Sequence, residues 1–154
     1  MVITIIDNIG IGLAMILATF FFHAYSLDWL IRIIGRILPR ARKENQAGTH
    51  IWKILVLFLT AVGIILIHSA EIWAWAVLYL ALDISAVHDF ETALYFSTVS
   101  FSTVGYGDVV LSPDDRLLSA MQAASGMILF GWSTAFILEV LASTYYRLSI
   151  REQK

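Results

Sequence analysis

The hydrophobic positions of this chain fall into three long runs separated by shorter polar stretches. The runs cover roughly residues 9–29, 51–83 and 116–146. At about 1.5 Å per residue, a helix over each run can cross a hydrocarbon core of about 30 Å. Trp73 and Trp75 lie where the outer aromatic belt of the second run is expected. The pattern therefore predicts an all-α membrane protein with three transmembrane helices.

A shorter apolar stretch, residues 90–101, lies between the second and third runs and is too short to span a membrane. Asp89 is a suitable N-cap, so the stretch predicts a helix of about three turns. Irregular backbone at membrane depth is tolerated only inside protein or against a water-filled cavity. We therefore predict a re-entrant helix whose C-terminal carbonyls direct partial negative charge toward a central cation.

The six residues Thr103-Val104-Gly105-Tyr106-Gly107-Asp108, called the filter loop below, follow this short helix. Gly105 and Gly107 stand at alternate positions, where positive φ has no steric cost. A backbone that alternates between right- and left-handed dihedrals turns successive carbonyls to one side, whereas a strand alternates them. The carbonyls of residues 103–106 and the Thr103 hydroxyl then provide consecutive oxygens, which can replace the hydration shell of K⁺.

Basic residues follow the first apolar run, and none precedes it. The positive-inside rule predicts a transmembrane helix over residues 1–30 with its N-terminus outside, then a cytoplasmic basic segment and linker over residues 31–50.

Arginines spaced by four in this basic segment fit a voltage sensor or an interfacial amphipathic helix. We favour the amphipathic helix because the arginines trail out of the run and Pro39 should end the helix. Anionic lipid is the expected partner of Arg32, Arg36, Arg40, Arg42 and Lys43.

The composition argues against several other classes of protein. Of 154 residues, 59 % are hydrophobic and 14 % are charged, which is too apolar for a typical soluble globule. The chain has no cysteine, so we expect neither a disulfide scaffold nor thiol chemistry. We also expect no cleaved signal, no nucleic-acid partner, no cofactor other than a permeant K⁺ ion, and no enzymatic activity.

Helix-start signals follow the filter loop. Ser112 as N-cap, Pro113 at the first helical position and Asp114 in the first turn predict an inner helix over residues 114–146. Residues 148–154 are then expected to be a short cytoplasmic tail, with no soluble sensing domain. Acidic residues that cap helices here are also expected to concentrate cations at the outer mouth. They are Asp83, Asp89, Glu91, Asp108, Asp114 and Asp115.

His68 and Glu71 lie three residues apart on one face of the second helix. Ionisable groups inside a membrane are unusual enough to suggest a function. The pair can be a proton or divalent-metal sensor, with His23 as a further member, or a structural hydrogen-bonded pair near the outer interface. Both interpretations remain open from the sequence.

The short helix, the filter loop and the helix that follows together resemble the pore module of the potassium channel superfamily. The likeness is to two-pore-domain-type and small bacterial channels, and it rests mainly on Ser102 and the filter loop. It implies a pore domain over residues 51–147, with outer helix 51–83, pore helix 90–101 and inner helix 114–146. The first helix is an addition to that module. The resemblance further implies a homotetramer with a central pore.

The resemblance also assigns roles to residues outside the filter loop. Gly126 and Gly131 match the hinge glycine and second glycine of the inner helix, although close helix packing is an equal alternative for them. Thr134 would face the cavity below the filter.

Two positions depart from the simple bacterial channels, where aromatic residues, often tryptophans, brace the filter. Tyr95 can still donate to Asp108, but Phe96 cannot hydrogen-bond the Tyr106 hydroxyl, which leaves Ser100 as its remaining partner. Val99 replaces a glutamate found behind some filters.

These features predict a potassium-selective channel that conducts passively through a homotetrameric pore. A non-conducting accessory subunit with the same fold is the main alternative. A secondary cation transporter is disfavoured because no internal repeat is visible. Three gating stimuli stay open, namely pH, lipid and membrane tension, and so does constitutive opening.

Overall fold

The computed structural model describes the chain over residues 2–41 and 46–152, and its side chains over residues 6–36 and 51–144. The regular structure of these residues consists of four helices: α1 (Val2–Ala41), α2 (Gln46–Ala81), α3 (Phe90–Phe101) and α4 (Arg116–Glu152). Three of them contain apolar spans long enough to cross a membrane, namely Ile6–Arg36, Ile51–Ala81 and Arg116–Thr144. The predicted all-α membrane fold is confirmed.

The end of α1 differs from the prediction. The helix continues through Pro39 to Ala41, so Pro39 does not end it and the basic segment is continuous with the first transmembrane helix. Proline removes one backbone hydrogen bond and can kink a helix without ending it. Here α1 continues for two residues after Pro39. Residues 42–45, among them Arg42 and Lys43, lie outside the described residues, and α2 already begins at Gln46. Helical structure therefore covers most of residues 31–50, for which a basic segment and a linker were predicted.

A Schellman motif ends α2 at Ala81, two residues before the predicted end. Asp83 has φ 50°. Its N–H donates to the Leu80 carbonyl at 3.1 Å, and the Ile84 N–H donates to the Tyr79 carbonyl at 3.4 Å. Ile84 and Tyr79 are both buried in the same core, so hydrophobic burial accompanies the turn.

The bounds of α4 also differ from the predicted 114–146. In a turn before the helix, the Ser112 carbonyl accepts from the N–H groups of Asp115 and Arg116. The helix then begins at Arg116 and extends to Glu152, so most of the predicted tail is helical.

One compact unit combines the chain up to His23 with His68–Phe130. Its core packs α3 against α2 and α4, with α1 side chains such as Met15 and Phe20 at the edge. Trp75 is fully buried in this core, so its predicted place in an interfacial belt is wrong, whereas Trp73 is exposed. The core residues are Trp75, Ala76, Tyr79, Ile84, Val87, Ala93, Phe96, Phe101, Leu111, Leu118 and Leu129.

A buried polar network fixes α3 within the same unit. The Tyr79 hydroxyl donates to Gln122 Oε1 at 2.7 Å, and Gln122 Nε2 donates to Ser97 Oγ at 2.7 Å. The Ser97 hydroxyl in turn donates to the Ile72 carbonyl at 2.7 Å. Because buried polar groups are costly unless paired, this chain of bonds specifies how the three helices meet.

The second compact unit combines Ala24–Ile67 with the chain from Gly131 onward. Leu27, Leu30 and Ile34 of α1 pack with residues of α2 and α4 in its core. Arg32 and Arg36 lie on the exposed side of α1, where Arg32 pairs with Asp28 at 2.8 Å. The predicted amphipathic pattern is therefore present in the part of this segment whose side chains are described.

Gly126 lies where α4 meets the end of α3. A Cβ built there would lie only 2.2 Å from the backbone oxygen of Phe101. Backbone atoms cannot move aside as a flexible side chain can, so this contact requires a glycine. The packing role left open by the sequence thus has a direct structural basis.

We predict that Gly126→Ala lowers the thermal stability of the purified protein, because the added methyl group forces α3 and α4 apart. Overpacking of this kind typically costs about 1–3 kcal/mol. Gly10→Ala is the matched control, since nothing lies within 4 Å of a Cβ at Gly10. Thermal unfolding in detergent, followed by circular dichroism, compares the two. Equal melting temperatures for the two variants would contradict the close-approach argument.

Candidate functional site

The start of α3 is fixed by its predicted cap. Asp89 has extended backbone (φ −144°, ψ 166°), and its carboxylate accepts from the Thr92 N–H at 2.9 Å and from the Thr92 hydroxyl at 2.8 Å. These bonds, the backbone one first, lower the pKa of Asp89 below its usual value. α3 covers the predicted residues, Phe90–Phe101.

The end of α3 holds the beginning of the filter loop by backbone hydrogen bonds. The Thr103 N–H donates to the Ser100 carbonyl at 3.0 Å, while those of Val104 and Gly105 both donate to the Val99 carbonyl, at 3.0 and 3.3 Å. The carbonyls at the helix end are therefore occupied by filter amides. The predicted partial negative charge of this helix end toward a central cation remains a prediction.

These hydrogen bonds set the direction of the first filter carbonyls. In a trans peptide the C=O of one residue points opposite to the N–H of the next, and the described residues contain no cis peptide. Because three consecutive N–H groups point back at α3, the carbonyls of Ser102, Thr103 and Val104 all point away from it. They share one side, and two of them, those of Thr103 and Val104, belong to the predicted set of residues 103–106. The directions of the Gly105 and Tyr106 carbonyls remain predictions.

Positive φ values alternate along the filter loop. They occur at Thr103 (61°), Gly105 (55°) and Gly107 (77°). The two glycines were identified from sequence, whereas Thr103 was not, since a β-branched residue in this region normally costs roughly 1–2 kcal/mol. The hydrogen bond from its N–H to Ser100 helps to hold this conformation.

All six residues of the filter loop are exposed within one chain, and Tyr106 is 73 % exposed. The predicted Ser100–Tyr106 bond is not among the hydrogen bonds that the described residues form within one chain. Phe96 is instead buried in the core, where its ring meets Tyr79 edge to face at 5.2 Å. Phe96 thus stabilises α3 against α2.

Tyr95 holds the Asp108 end of the loop. Its hydroxyl donates to Asp108 Oδ2 at 2.5 Å, as the sequence suggested, and the Val109 N–H donates to Asp108 Oδ1 at 3.1 Å. The Tyr95 bond lowers the pKa of Asp108, and the same bond raises the pKa of Tyr95. The loop is therefore tied to α3 at both ends, by backbone amides at its start and by this side-chain bond at Asp108.

The inner-helix residues fall in different units. Gly126 makes the close approach to Phe101 described above, while Gly131 and Thr134 lie on exposed positions of the second unit. The hinge role of the glycines and the cavity-facing role of Thr134 remain predictions.

A buried cluster joins His23 to the predicted pair of His68 and Glu71. Nδ1 of His23 lies 2.9 Å from Glu71 Oε1, and Nδ1 of His68 lies 2.9 Å from Glu71 Oε2. Relative exposure is 0 % for His23, 7 % for His68 and 1 % for Glu71. His68 also packs its ring against Phe101 and Phe130, with centroids 5.8 and 4.7 Å away.

We predict that Tyr95→Phe raises the pKa of Asp108 toward its ordinary value of 3.8, because the hydroxyl donor is lost. Since the folded-state pKa is lowered, this bond stabilises the fold above the ordinary pKa and stops doing so as the pH falls through the lowered one. Carbon-13 NMR of the Asp108 carboxyl group measures the titration. Tyr25→Phe, at an exposed tyrosine, is the control. An unchanged midpoint in Tyr95→Phe would refute the proposed cause.

Comparison with known proteins agrees with this geometry. A family model described as "Ion channel" matches residues 65–143, just over half of the chain. A curated protein of Methanocaldococcus jannaschii, "Hyperpolarization-activated voltage-gated potassium channel", is 38 % identical over 75 residues. That stretch covers 49 % of this chain but only 31 % of the relative. No solved structure gives a significant match. The chain thus belongs to this ion channel family, as a multi-pass membrane protein with a pore module of the potassium channel superfamily.

Proposed function

We propose that this chain is a subunit of a potassium-selective channel that conducts K⁺ passively. The observation that carries the proposal is the filter loop, in which positive φ alternates and the first two carbonyls, together with that of Ser102 just before the loop, point away from α3. Oxygens arranged on one side of a backbone can replace the water around K⁺ as it enters the filter. The name of the archaeal relative, which includes "potassium channel", supports the same ion.

The proposed assembly is a homotetramer around a central pore. One chain supplies one filter loop, and a single loop cannot surround an ion. The loop is exposed over its whole length within one chain, with Val104 at 52 % and Tyr106 at 73 %. Four copies related by a cyclic axis would bring these loops together and cover the exposed side chains.

The proposed orientation places Asp108 outside and the basic segment in the cytoplasm. Lys and Arg are absent before Arg32 and concentrated between Arg32 and Lys53. In this orientation the exposed Arg32 and Arg36 can meet anionic lipid of the inner leaflet. The acidic residues near the filter loop would raise the local cation concentration at the outer mouth.

We predict that Gly105→Ala abolishes K⁺ flux. Gly105 has φ +55°, which is strained for any residue with a Cβ, so the substitution should disturb the carbonyls on both sides of it. The test is K⁺ efflux from liposomes that contain the purified protein, with size-exclusion chromatography to check assembly.

Gly10→Ala is the control, because Gly10 has open space around it and lies outside the filter loop. It should conduct as the unmodified chain does. K⁺ efflux through Gly105→Ala equal to that of the unmodified chain would refute the claim that conduction requires an unstrained positive φ at residue 105. Absence of flux from the unmodified, correctly assembled protein would favour a non-conducting subunit.

A further inference from the structure

Three ionisable side chains meet inside apolar spans of this protein and take no part in the proposed conduction path. His23 belongs to α1, while His68 and Glu71 belong to α2. Burying such groups among apolar helices is costly, and residues of this kind inside membrane spans commonly mark a functional site. Their convergence on one carboxylate therefore requires an explanation beyond packing.

We propose that His23, His68 and Glu71 form a binding site for one transition-metal dication of the Zn²⁺ class. Two imidazole nitrogens and one carboxylate oxygen are a ligand set that zinc uses in sites with an open fourth position. Imidazole suits zinc, copper, nickel and cobalt, whereas magnesium and calcium require mostly oxygen ligands. The cluster thus favours a transition metal over the abundant hard cations.

The distances show that the ligands are already assembled. Candidate ligand atoms of all three residues lie within 4.8 Å of one another. A metal about 2.0–2.2 Å from each ligand separates neighbouring ligand atoms by roughly 3.3–3.5 Å. The two nitrogen–oxygen distances of 2.9 Å, each to a different oxygen of Glu71, need to open by about half an ångström. The two imidazole nitrogens lie within 4.8 Å of each other, so side-chain rotations can bring them to the same separation.

Position and burial favour a selective site over casual binding at a surface. All three residues are buried, and the two aromatic rings of Phe101 and Phe130 pack against His68. The ligands come from two helices, so a bound metal would link α1 to α2. An i, i+3 pair on α2 supplies two ligands from one rigid element, and His23 completes the set.

The same contacts connect the site to the filter loop. Phe101 is the last residue of α3, and its backbone oxygen is the atom that approaches Gly126. Movement of His68 on metal binding would act on Phe101, two residues before Thr103. This regulatory consequence rests on the proposed channel function, whereas metal binding itself does not.

The test uses the full chain in detergent, with Co²⁺ as a spectroscopic probe for the zinc site. The chain has four histidines, so a His50→Gln/His88→Gln background leaves His23 and His68 as the histidines able to bind. We expect one Co²⁺ per chain, with visible absorption bands of a low-coordinate site, displaced by Zn²⁺ and not by Mg²⁺. Adding His23→Gln or Glu71→Gln should weaken binding by at least about tenfold.

A ligand exchange separates metal binding from a purely hydrogen-bonded cluster. The chain contains no cysteine, so His23→Cys introduces a single thiol that can replace an imidazole as ligand. We expect this variant to bind Co²⁺ with a new sulfur-to-cobalt band in the near ultraviolet. A cluster that serves only as a hydrogen-bonded brace would give no such band.

Three results would overturn the site. They are absence of Co²⁺ binding by the background chain, binding unchanged by His23→Gln, and a His23→Cys variant that folds but shows no sulfur-to-cobalt band. The regulatory part has its own test, in which Zn²⁺ changes K⁺ flux through the background channel but not through its His23→Gln derivative. Binding without any change in flux would reject the regulatory part.

Discussion

Three amide hydrogen bonds at the end of α3 are the constraint on which the rest of this structure depends. Once the N–H groups of Thr103, Val104 and Gly105 donate to two carbonyls in the last turn of the helix, peptide planarity directs the preceding carbonyls the other way. No side chain is needed to aim them. Positive φ at Thr103 and Gly105 follows from the same arrangement, since successive amides cannot share one direction in an extended strand.

The remaining helices serve to keep α3 in place beneath that loop. Ser97 and Gln122 join α3 to α4 through a buried hydrogen bond, and Tyr79 extends the network to α2. At Gly126, the backbone of α4 comes close enough to Phe101 that a methyl group does not fit. Tyr95 adds a second attachment through its hydrogen bond to Asp108. Packing and buried hydrogen bonds thus hold α3 in place. The bond between Tyr95 and Asp108 then attaches the end of the filter loop to α3.

Local chemistry explains what the sequence could predict. The bounds of α3 and its cap at Asp89 follow from short-range signals, and Gly105 and Gly107 identify themselves by their freedom at positive φ. The positive φ of Thr103 could not be predicted from its residue type, because a β-branched residue disfavours the conformation that the amide hydrogen bonds impose.

Tertiary contacts explain what the sequence could not predict. The end of α2 uses Asp83 where glycine is usual, so the turn had no clear signal. The sequence suggested His68 and Glu71 as a pair because they share a helical face. The bond between His23 and Glu71 joins residues 48 positions apart, so only the folded chain could establish it.

The most direct test of this account is the reversal potential of single channels. Purified protein in a planar bilayer would separate two K⁺/Na⁺ mixtures that have the same ionic strength but different K⁺ concentrations. If the filter loop replaces the hydration shell of K⁺, discrete currents will appear and reverse near the potassium equilibrium potential. Currents that reverse near zero would contradict the account, because they would show a pore that does not distinguish the two ions.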